Sequence, residues 1–214
     1  MTRKQMALQP KYIVKIEHDQ DCSSPMENDG NWQFYSFCDR HNNFKHPDEF
    51  FGEDGKPNRQ IARKLRNGLA FLLSYHEHGL CRWDVSGHGP SCQWDSVSKA
   101  GIAVWEEPPG DMGAKTYEDR KKDCQGSTEE YTEWCNGNCY GYIIQERKLR
   151  NGVIKRKRLD SGWGFIGSDY VVEAACEALP EDATPENTKL ESQWFQQYEL
   201  NEHFKNSASL LGQN

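Results

Sequence analysis

The chain has 214 residues, of which 36% are hydrophobic, 28% charged and 12% aromatic, and this aromatic content excludes wholesale disorder. Its net charge of −7 excludes an overall electrostatic attraction to nucleic acid. Nucleic acid could be contacted only through local basic patches, at 63–66, 155–158 and, less densely, 120–122, which we expect to be solvated surface.

Alternation of apolar and polar residues predicts strands in the first half of the chain. They span residues 12–18, 32–38, 80–85 and 101–106. Between the second and third strands, an apolar stripe at helical spacing predicts a helix. The stripe consists of Ile61, Leu65, Leu69 and Leu72. Gly79 follows it and is typical of a helix C-terminus.

The second half of the chain combines helices with one hairpin. Ser127-Thr128-Glu129-Glu130 has the form of a capping box and predicts a helix start. Asn151-Gly152 is a strong turn signal and predicts a hairpin between strands at 140–147 and 155–165. The remaining predicted elements are a helix at 168–179, a linker at 180–187 and a polar helix at 188–203.

Strands and helices are mixed without strict alternation. This order favours an α+β fold in a single domain, with a mostly antiparallel sheet and flanking helices. We expect residues 1–179 to form the α+β core domain. Residues 180–214 would then be a linker followed by a C-terminal helical appendage.

The N-terminus is charged, and no apolar run reaches the roughly 20 residues that span a membrane. We therefore expect a cytoplasmic protein that does not contact membranes. Thiols stay reduced in that compartment, so the eight cysteines should be free thiols or metal ligands rather than disulfides.

Cysteine and histidine spacing offers one candidate metal site. Cys38 and His41 are separated by two residues, and Cys135 and Cys139 by three, as in some zinc sites. A repeated Cys-x-x-Cys pair is missing from the sequence. Simple buried thiols are therefore the preferred interpretation, with zinc as the alternative.

Acidic residues offer a second candidate. Glu17, Asp19 and Asp21 alternate at the end of a predicted strand and would point to one side if the strand continues. Asp19 and Asp21, together with Asp84 and Asp95, could surround magnesium or calcium. A solvated acidic loop is the simpler interpretation.

The stretch SCQWDSVSKAGIAVW and the residues just before it offer a third candidate. Cys92 and His88, with Asp84 or Asp95, supply the thiol, imidazole and carboxylate of a nucleophilic site. In the preferred interpretation this stretch is a structured loop that enters a strand. Trp94 would then pack in the core, and Asp95 would close a turn.

Three segments resemble a family of uncharacterised proteins from phages and bacterial mobile elements. IEHDQDCSSPMENDGN (16–31) is similar to a D-x-D-x-x-S-P opening. WDVSGHGPSCQWDSVSKAGIAVW (83–105) is similar to a Y-D-H-S-G…S-C-P-W-D-S-G block. EEYTEWCNGNCYGYIIQ (129–145) with RLDSGWGFIGSDYV (158–171) is similar to a Y-G-Y…D-S-C-W-G-F ending. The resemblance implies a phage or mobile-element origin and a single domain.

The chain departs from the family motifs at three positions. Val85 replaces a histidine, Gly162 a cysteine and Val97 a glycine. These departures weaken the thiol–imidazole and zinc interpretations. They favour a shaped loop whose Asp and Ser side chains organise turns or bind a ligand.

The sequence therefore predicts a phage-encoded accessory protein, without catalytic residues, in the cytoplasm of an infected or lysogenic bacterium. It would bind a host protein, for instance as an anti-CRISPR or anti-restriction inhibitor of host defence. The predicted ligand- or partner-binding residues are Asp19, Asp21, Asp84, Ser86, His88, Cys92, Trp94, Asp95, Ser96 and Trp163. The alternatives are a small divalent-cation-dependent enzyme or nucleotide-binding protein, and a virion or assembly component.

Overall fold

The computed structural model describes residues 10–27, 32–86, 94–108 and 113–211. Within these ranges the chain forms eight strands and four α-helices. The strands are β1 (Tyr12–His18), β2 (Trp32–Ser36), β3 (Ala70–His78), β4 (Leu80–Val85), β5 (Ser96–Trp105), β6 (Cys139–Arg150), β7 (Val153–Ile166) and β8 (Thr188–Glu191). The helices are α1 (Arg59–Arg66), α2 (Tyr117–Cys135), α3 (Ser168–Glu177) and α4 (Gln197–Leu211).

The predicted α+β class with mostly antiparallel pairing is confirmed. The strands form two four-stranded sheets. Contacts divide the chain into a central unit, Ser23–Asn136, and a terminal unit made of the residues up to Cys22 and from Gly137 onward. The domain boundary at residue 180 stays a prediction. Among the described residues, no helix is long and apolar enough to cross a membrane.

The sheet of the central unit is antiparallel, with strand order β2-β5-β3-β4. Helix α2 covers one face, where Cys124 and Tyr131 pack against a cluster of large apolar side chains. That cluster includes Trp32, Phe34, Phe71, Leu73, Trp83 and Trp105. On the other face, Ile61 of α1 packs with Ala70, Ile102 and Val104. The strands of this sheet therefore carry apolar residues on both faces, as expected for a sheet between two helical layers.

The sheet of the terminal unit has the order β7-β6-β1-β8. β1 is antiparallel to β6 and parallel to β8. Helices α3 and α4 contribute to the main apolar cluster of this unit. The cluster includes Val14, Ile16, Tyr142, Ile144, Val171, Ala175 and Leu200. The predicted hairpin is confirmed, and Asn151 and Gly152 both have the positive φ that such a two-residue turn requires.

The helix predicted from the stripe at Ile61 is correct only in its first part. Helix α1 ends at Arg66, and Gly68, with φ of +65°, turns the chain into β3. Leu72 therefore lies in a strand rather than on the stripe of a helix. Gly79, with φ of +82°, turns the chain between β3 and β4 instead of ending a helix.

Two further predicted helices have different bounds. Helix α2 begins ten residues before Ser127, at Tyr117, because the Thr116 side chain accepts the Asp119 backbone N–H and donates to its carboxylate at 2.7 Å. The helix predicted over 188–203 starts instead as strand β8, since the chain pairs there with β1, and α4 follows from Gln197.

Replacing two glycines by alanine should change the stability of the protein in opposite directions. Gly101 lies in the central strand β5, and Gly126 lies on helix α2. In Gly101→Ala the new Cβ would lie 2.4 Å from the carbonyl oxygen of Tyr35, a backbone atom of the paired strand β2. We expect a loss of about 1–3 kcal/mol in the free energy of unfolding. In Gly126→Ala, on α2, nothing lies within 4 Å, so we expect a gain of about 0.5–1 kcal/mol. Urea unfolding measures both values, and a Gly101→Ala protein as stable as the wild type would contradict this packing.

Candidate functional site

Strand β4 is an edge strand whose backbone is hydrogen-bonded by side chains of α2. Asn136, which ends α2, accepts the N–H of Cys81 and donates to its carbonyl, both at 2.9 Å. Thr132 Oγ1 accepts the N–H of Trp83 at 3.0 Å. The side chains of α2 thus bond the backbone at alternate residues of β4 in the manner of a neighbouring strand, and this fixes the helix against the strand.

Gln125 of α2 makes the third contact with the backbone of β4, and it also binds a buried carboxylate. Gln125 of α2 accepts the N–H of Val85 at 3.0 Å and donates to Asp84 at 3.2 Å. Arg82 donates to both carboxylate oxygens of Asp84, at 2.8 and 3.1 Å. The charge of this buried carboxylate is therefore compensated within the unit, which gives Asp84 a structural role at the junction of β4 and α2.

This docking forms a cleft of about 540 Å³ in the central unit. The last two turns of α2 form one side, and β3 and β4 form the floor. Residues 40–43 close the opposite side. The principal lining residues are Arg40, His41, Tyr75, Glu77, Cys81, Trp83, Tyr131, Trp134 and Cys135. The volume lies in the range of small-ligand pockets, or of a pocket for one or two side chains of a partner.

The floor and one side of the cleft are aromatic. The rings of Tyr75 and Trp83 are 4.6 Å apart between centroids, and those of Tyr131 and Trp134 stack at 5.8 Å with an angle of 21°. Trp83 and Tyr131 are each only 4% exposed, so their positions are set by the core. These two rings are therefore held rigidly, but little of their surface is exposed to a ligand.

His41 lies against this aromatic surface. Its ring centroid is 5.1 Å from that of Tyr75 and 5.6 Å from that of Trp83, and its Nδ1 lies 2.7 Å from the hydroxyl of Ser36. Burial lowers the pKa of His41, and the charge of Arg40 lowers it further. The imidazole is therefore neutral at physiological pH and adds a largely apolar face to the cleft.

The rim of the cleft carries one ion pair. Arg40 bonds Glu77, and the hydroxyl of Tyr75 donates to the same carboxylate at 3.0 Å. Burial, and then this hydrogen bond, raise the pKa of Tyr75, so the phenol stays protonated. The carboxylate of Glu77 is already neutralised by Arg40, which reduces its ability to hold a cationic ligand.

Two thiols line the cleft. Cys81 is half-buried and Cys135 is exposed, and neither forms a disulfide. A hydrogen bond from Cys135 lowers the pKa of Cys81, although burial partly opposes the shift. The docking of Asn136 on the Cys81 backbone brings the two thiols together. Cys81 is therefore more easily ionised than the half-buried Cys176, whose thiol pKa is raised by burial.

The predicted residues of the terminal unit organise a bend in β7. Asp19 accepts the N–H of Gly164 at 2.9 Å and the N–H of Asp21 at 3.1 Å. The Trp163 ring lies across Gly141, where an added Cβ would be 2.1 Å from the ring. Asp19 and Trp163 thus both hold the part of β7 around Gly164 in place. Asp21 is exposed.

Two predicted residues of the central unit bond histidines of β3. The Asp95 carboxylate lies 3.3 Å from Nδ1 of His78. The Ser96 hydroxyl lies 2.8 Å from Nδ1 of His76. Both contacts join β3 to the start of β5, and neither residue lines the cleft.

The expectation that Trp94 packs in the core is wrong, because its side chain is 86% exposed. Ser86 donates its N–H to the Leu72 carbonyl at 2.7 Å, which extends the pairing of β4 with β3. His88 and Cys92 lie outside the described residues. The proposed thiol–imidazole pair is thus not tested.

The candidate metal ligands are not gathered into one site. Cys38, His41 and Cys135 lie in the central unit, and Cys139 lies in the terminal unit. In the described part of the chain, no group of three or more His, Cys, Asp or Glu side chains could hold a metal ion. His41 and Cys135 instead contribute to the cleft.

Sequence reasoning missed the residues that build the cleft. Gln125, Thr132 and Asn136 are spaced by seven and four residues, which places them on one face of a helix. Both that spacing and the strand at 80–85 follow from the sequence, but the packing of the helix on that strand does not.

Comparisons of the chain with protein-family models, curated protein sequences and solved structures found no match. The geometry of the cleft is therefore the basis for assigning a function.

The thiol pair predicts selective alkylation. Cys81 and Cys176 are both half-buried, but burial raises the pKa of Cys176 to about 12 while Cys135 lowers that of Cys81. Because the thiolate is the nucleophile, we expect iodoacetamide at pH 7.5 to label Cys81 at least ~10-fold faster than Cys176. Peptide mass spectrometry measures both rates. Cys135→Ala should slow the labelling of Cys81. Equal labelling rates for Cys81 and Cys176 would contradict the hydrogen bond between Cys135 and Cys81.

Proposed function

We propose that this chain is an accessory protein of a phage or mobile element that binds a host protein in the aromatic cleft. The cleft carries the proposal, because it combines a rigid aromatic floor with polar groups that are already bonded to one another. Aromatic side chains dominate the energetics of many protein interfaces when they lie in such concave, well-packed positions.

The chemistry of the lining indicates what the cleft binds. The rim carboxylate of Glu77 is paired with Arg40, and the imidazole of His41 is neutral. Trp134 stacks on the buried ring of Tyr131 and is itself half-buried, so part of its ring faces solvent. Trp134 and the neutral imidazole of His41 are the lining groups against which a side chain of the partner protein would pack.

Two of the four carboxylates that the cation-dependent alternative would use already have partners within the protein. Asp84 is held by Arg82 and Gln125, and Asp95 lies beside His78. These contacts already occupy carboxylate oxygens of Asp84 and Asp95 that a divalent cation would need as ligands. The proposal of a cation-dependent enzyme is therefore less well supported.

Inhibition of a host defence nuclease, in the cytoplasm of the infected bacterium, is the concrete form of the proposal. Its support is the resemblance of three segments to phage and mobile-element proteins. Such an inhibitor needs one tight interface rather than a reaction centre, and the aromatic cleft would supply the centre of that interface.

A pull-down with matched tryptophan variants tests the proposal. Trp134 and Trp194 are both partly exposed tryptophans, but Trp194 lies in the terminal unit and does not line the cleft. Loss of an aromatic at an interface centre costs about 2 kcal/mol or more, so we expect Trp134→Ala to retain at least ~10-fold less partner. Trp194→Ala should retain as much as the wild type.

The measurement is quantitative mass spectrometry of proteins retained from bacterial lysate, after circular dichroism has shown that both variants fold. One host protein at near-stoichiometric level that depends on Trp134 supports the proposal. Equal retention by all three proteins, or no retained host protein, would refute it.

A further inference from the structure

The end of the β6–β7 hairpin is the most basic segment of this acidic protein. Residues 147–158, here called the basic arm, contain seven of the 26 Lys and Arg residues and no Asp or Glu. Since the whole chain has a net charge of −7, the remaining residues carry −14. Such a concentration of one charge in twelve residues requires a physical explanation.

The basic arm is a two-stranded ribbon. The pairing of β1 with β6 stops at Glu146, whereas β6 and β7 stay paired to the turn, through Arg150 and Val153. All residues from 148 to 160 are exposed. The arm therefore presents both its faces to a partner.

Like charges oppose one another across the arm. Lys148 pairs with Lys155, and Arg147 pairs with Arg156. Like charges directly opposite on neighbouring strands are unfavourable. Each pair has one compensated member, because Glu191 binds Arg156 at 2.9 and 3.2 Å and Glu146 lies 2.8 Å from Lys148.

The other cations of the arm are less compensated. Among the described residues, no ion pair is found for four of them. These four are Arg150, Lys155, Lys157 and Arg158. Lys157 lies opposite Glu146 across the strands, and a polyanionic partner would compensate the other three charges.

We infer that the basic arm binds double-stranded DNA through its phosphates. The major groove is about 12 Å wide and admits a two-stranded β-ribbon, whose strands are about 4.8 Å apart. On the arm, Arg150, Lys155 and Lys157 share one face, because opposed residues and alternate residues of a strand point the same way. A ribbon in the groove can therefore present cations to the flanking phosphates.

The apolar residues of the arm distinguish duplex DNA from other nucleic acids. Leu149, Val153 and Ile154 are 52%, 60% and 39% exposed, and all three are aliphatic. Binding of single strands depends on aromatic side chains that stack with bases, and the arm has none. The major groove of duplex RNA is too narrow for side chains to enter.

Fluorescence anisotropy with the full chain and a labelled 20-base-pair DNA duplex tests this inference. We expect a Kd of about 1–100 μM at 50 mM NaCl. The slope of log K against log salt should be about −3 to −4, as expected for about four phosphate contacts.

Two double variants, one in the basic arm and one in the central unit, each replace two lysines by glutamate and so change the net charge equally. Lys155→Glu with Lys157→Glu should weaken binding at least ~10-fold, because two attractive contacts become repulsive. Lys99→Glu with Lys122→Glu changes two exposed lysines of the central unit and should bind much more tightly than the arm variant. Circular dichroism confirms that each variant folds.

Several outcomes would overturn the inference. They are no binding at 25 mM NaCl, equal losses in the two double variants, and tighter binding of single-stranded DNA, duplex RNA or a poly-glutamate peptide than of duplex DNA. The result is independent of the cleft, because the arm lies in the terminal unit and Trp134 lies in the central unit.

Discussion

The central unit depends on the hydrogen bonds between side chains of α2 and the backbone of the edge strand β4. Gln125, Thr132 and Asn136 bond the N–H groups at alternate residues of that strand. An open strand edge invites pairing with other chains, and each buried N–H without a partner costs about 1–3 kcal/mol. The helix therefore covers this edge of the sheet. The same contacts align the aromatic and thiol residues of the cleft.

The polar residues that stand out in the sequence serve mainly to shape the fold. Asp84 holds the junction of β4 and α2, and Asp19 holds the bend of β7 at Gly164. The cleft instead draws on α2, on β3 and β4, and on the loop at 40–43. A motif of dense polar residues is thus a poor guide here, because turns and buried ion pairs need the same residue types as ligand binding.

Local signals in the sequence predicted the elements that local chemistry decides. Strands 12–18 and 80–85 have the predicted bounds, and Asn151-Gly152 forms the predicted turn. The stripe from Ile61 to Leu72 misled because strand β3 carries apolar residues on both faces, which imitates helical spacing. The cleft could not be predicted, since Cys81 and Asn136 lie 55 residues apart and meet only through the tertiary fold.

Hydrogen exchange at the backbone amides of Cys81, Trp83 and Val85 tests the docking of α2 on β4 most directly. These amides belong to an edge strand, so only the side chains of α2 can slow their exchange. The structure predicts protection of at least ~100-fold in the wild type, since opening would break these bonds and the packing around them. Exchange of the three amides at the rate of an unstructured chain would contradict the docking and, with it, the cleft.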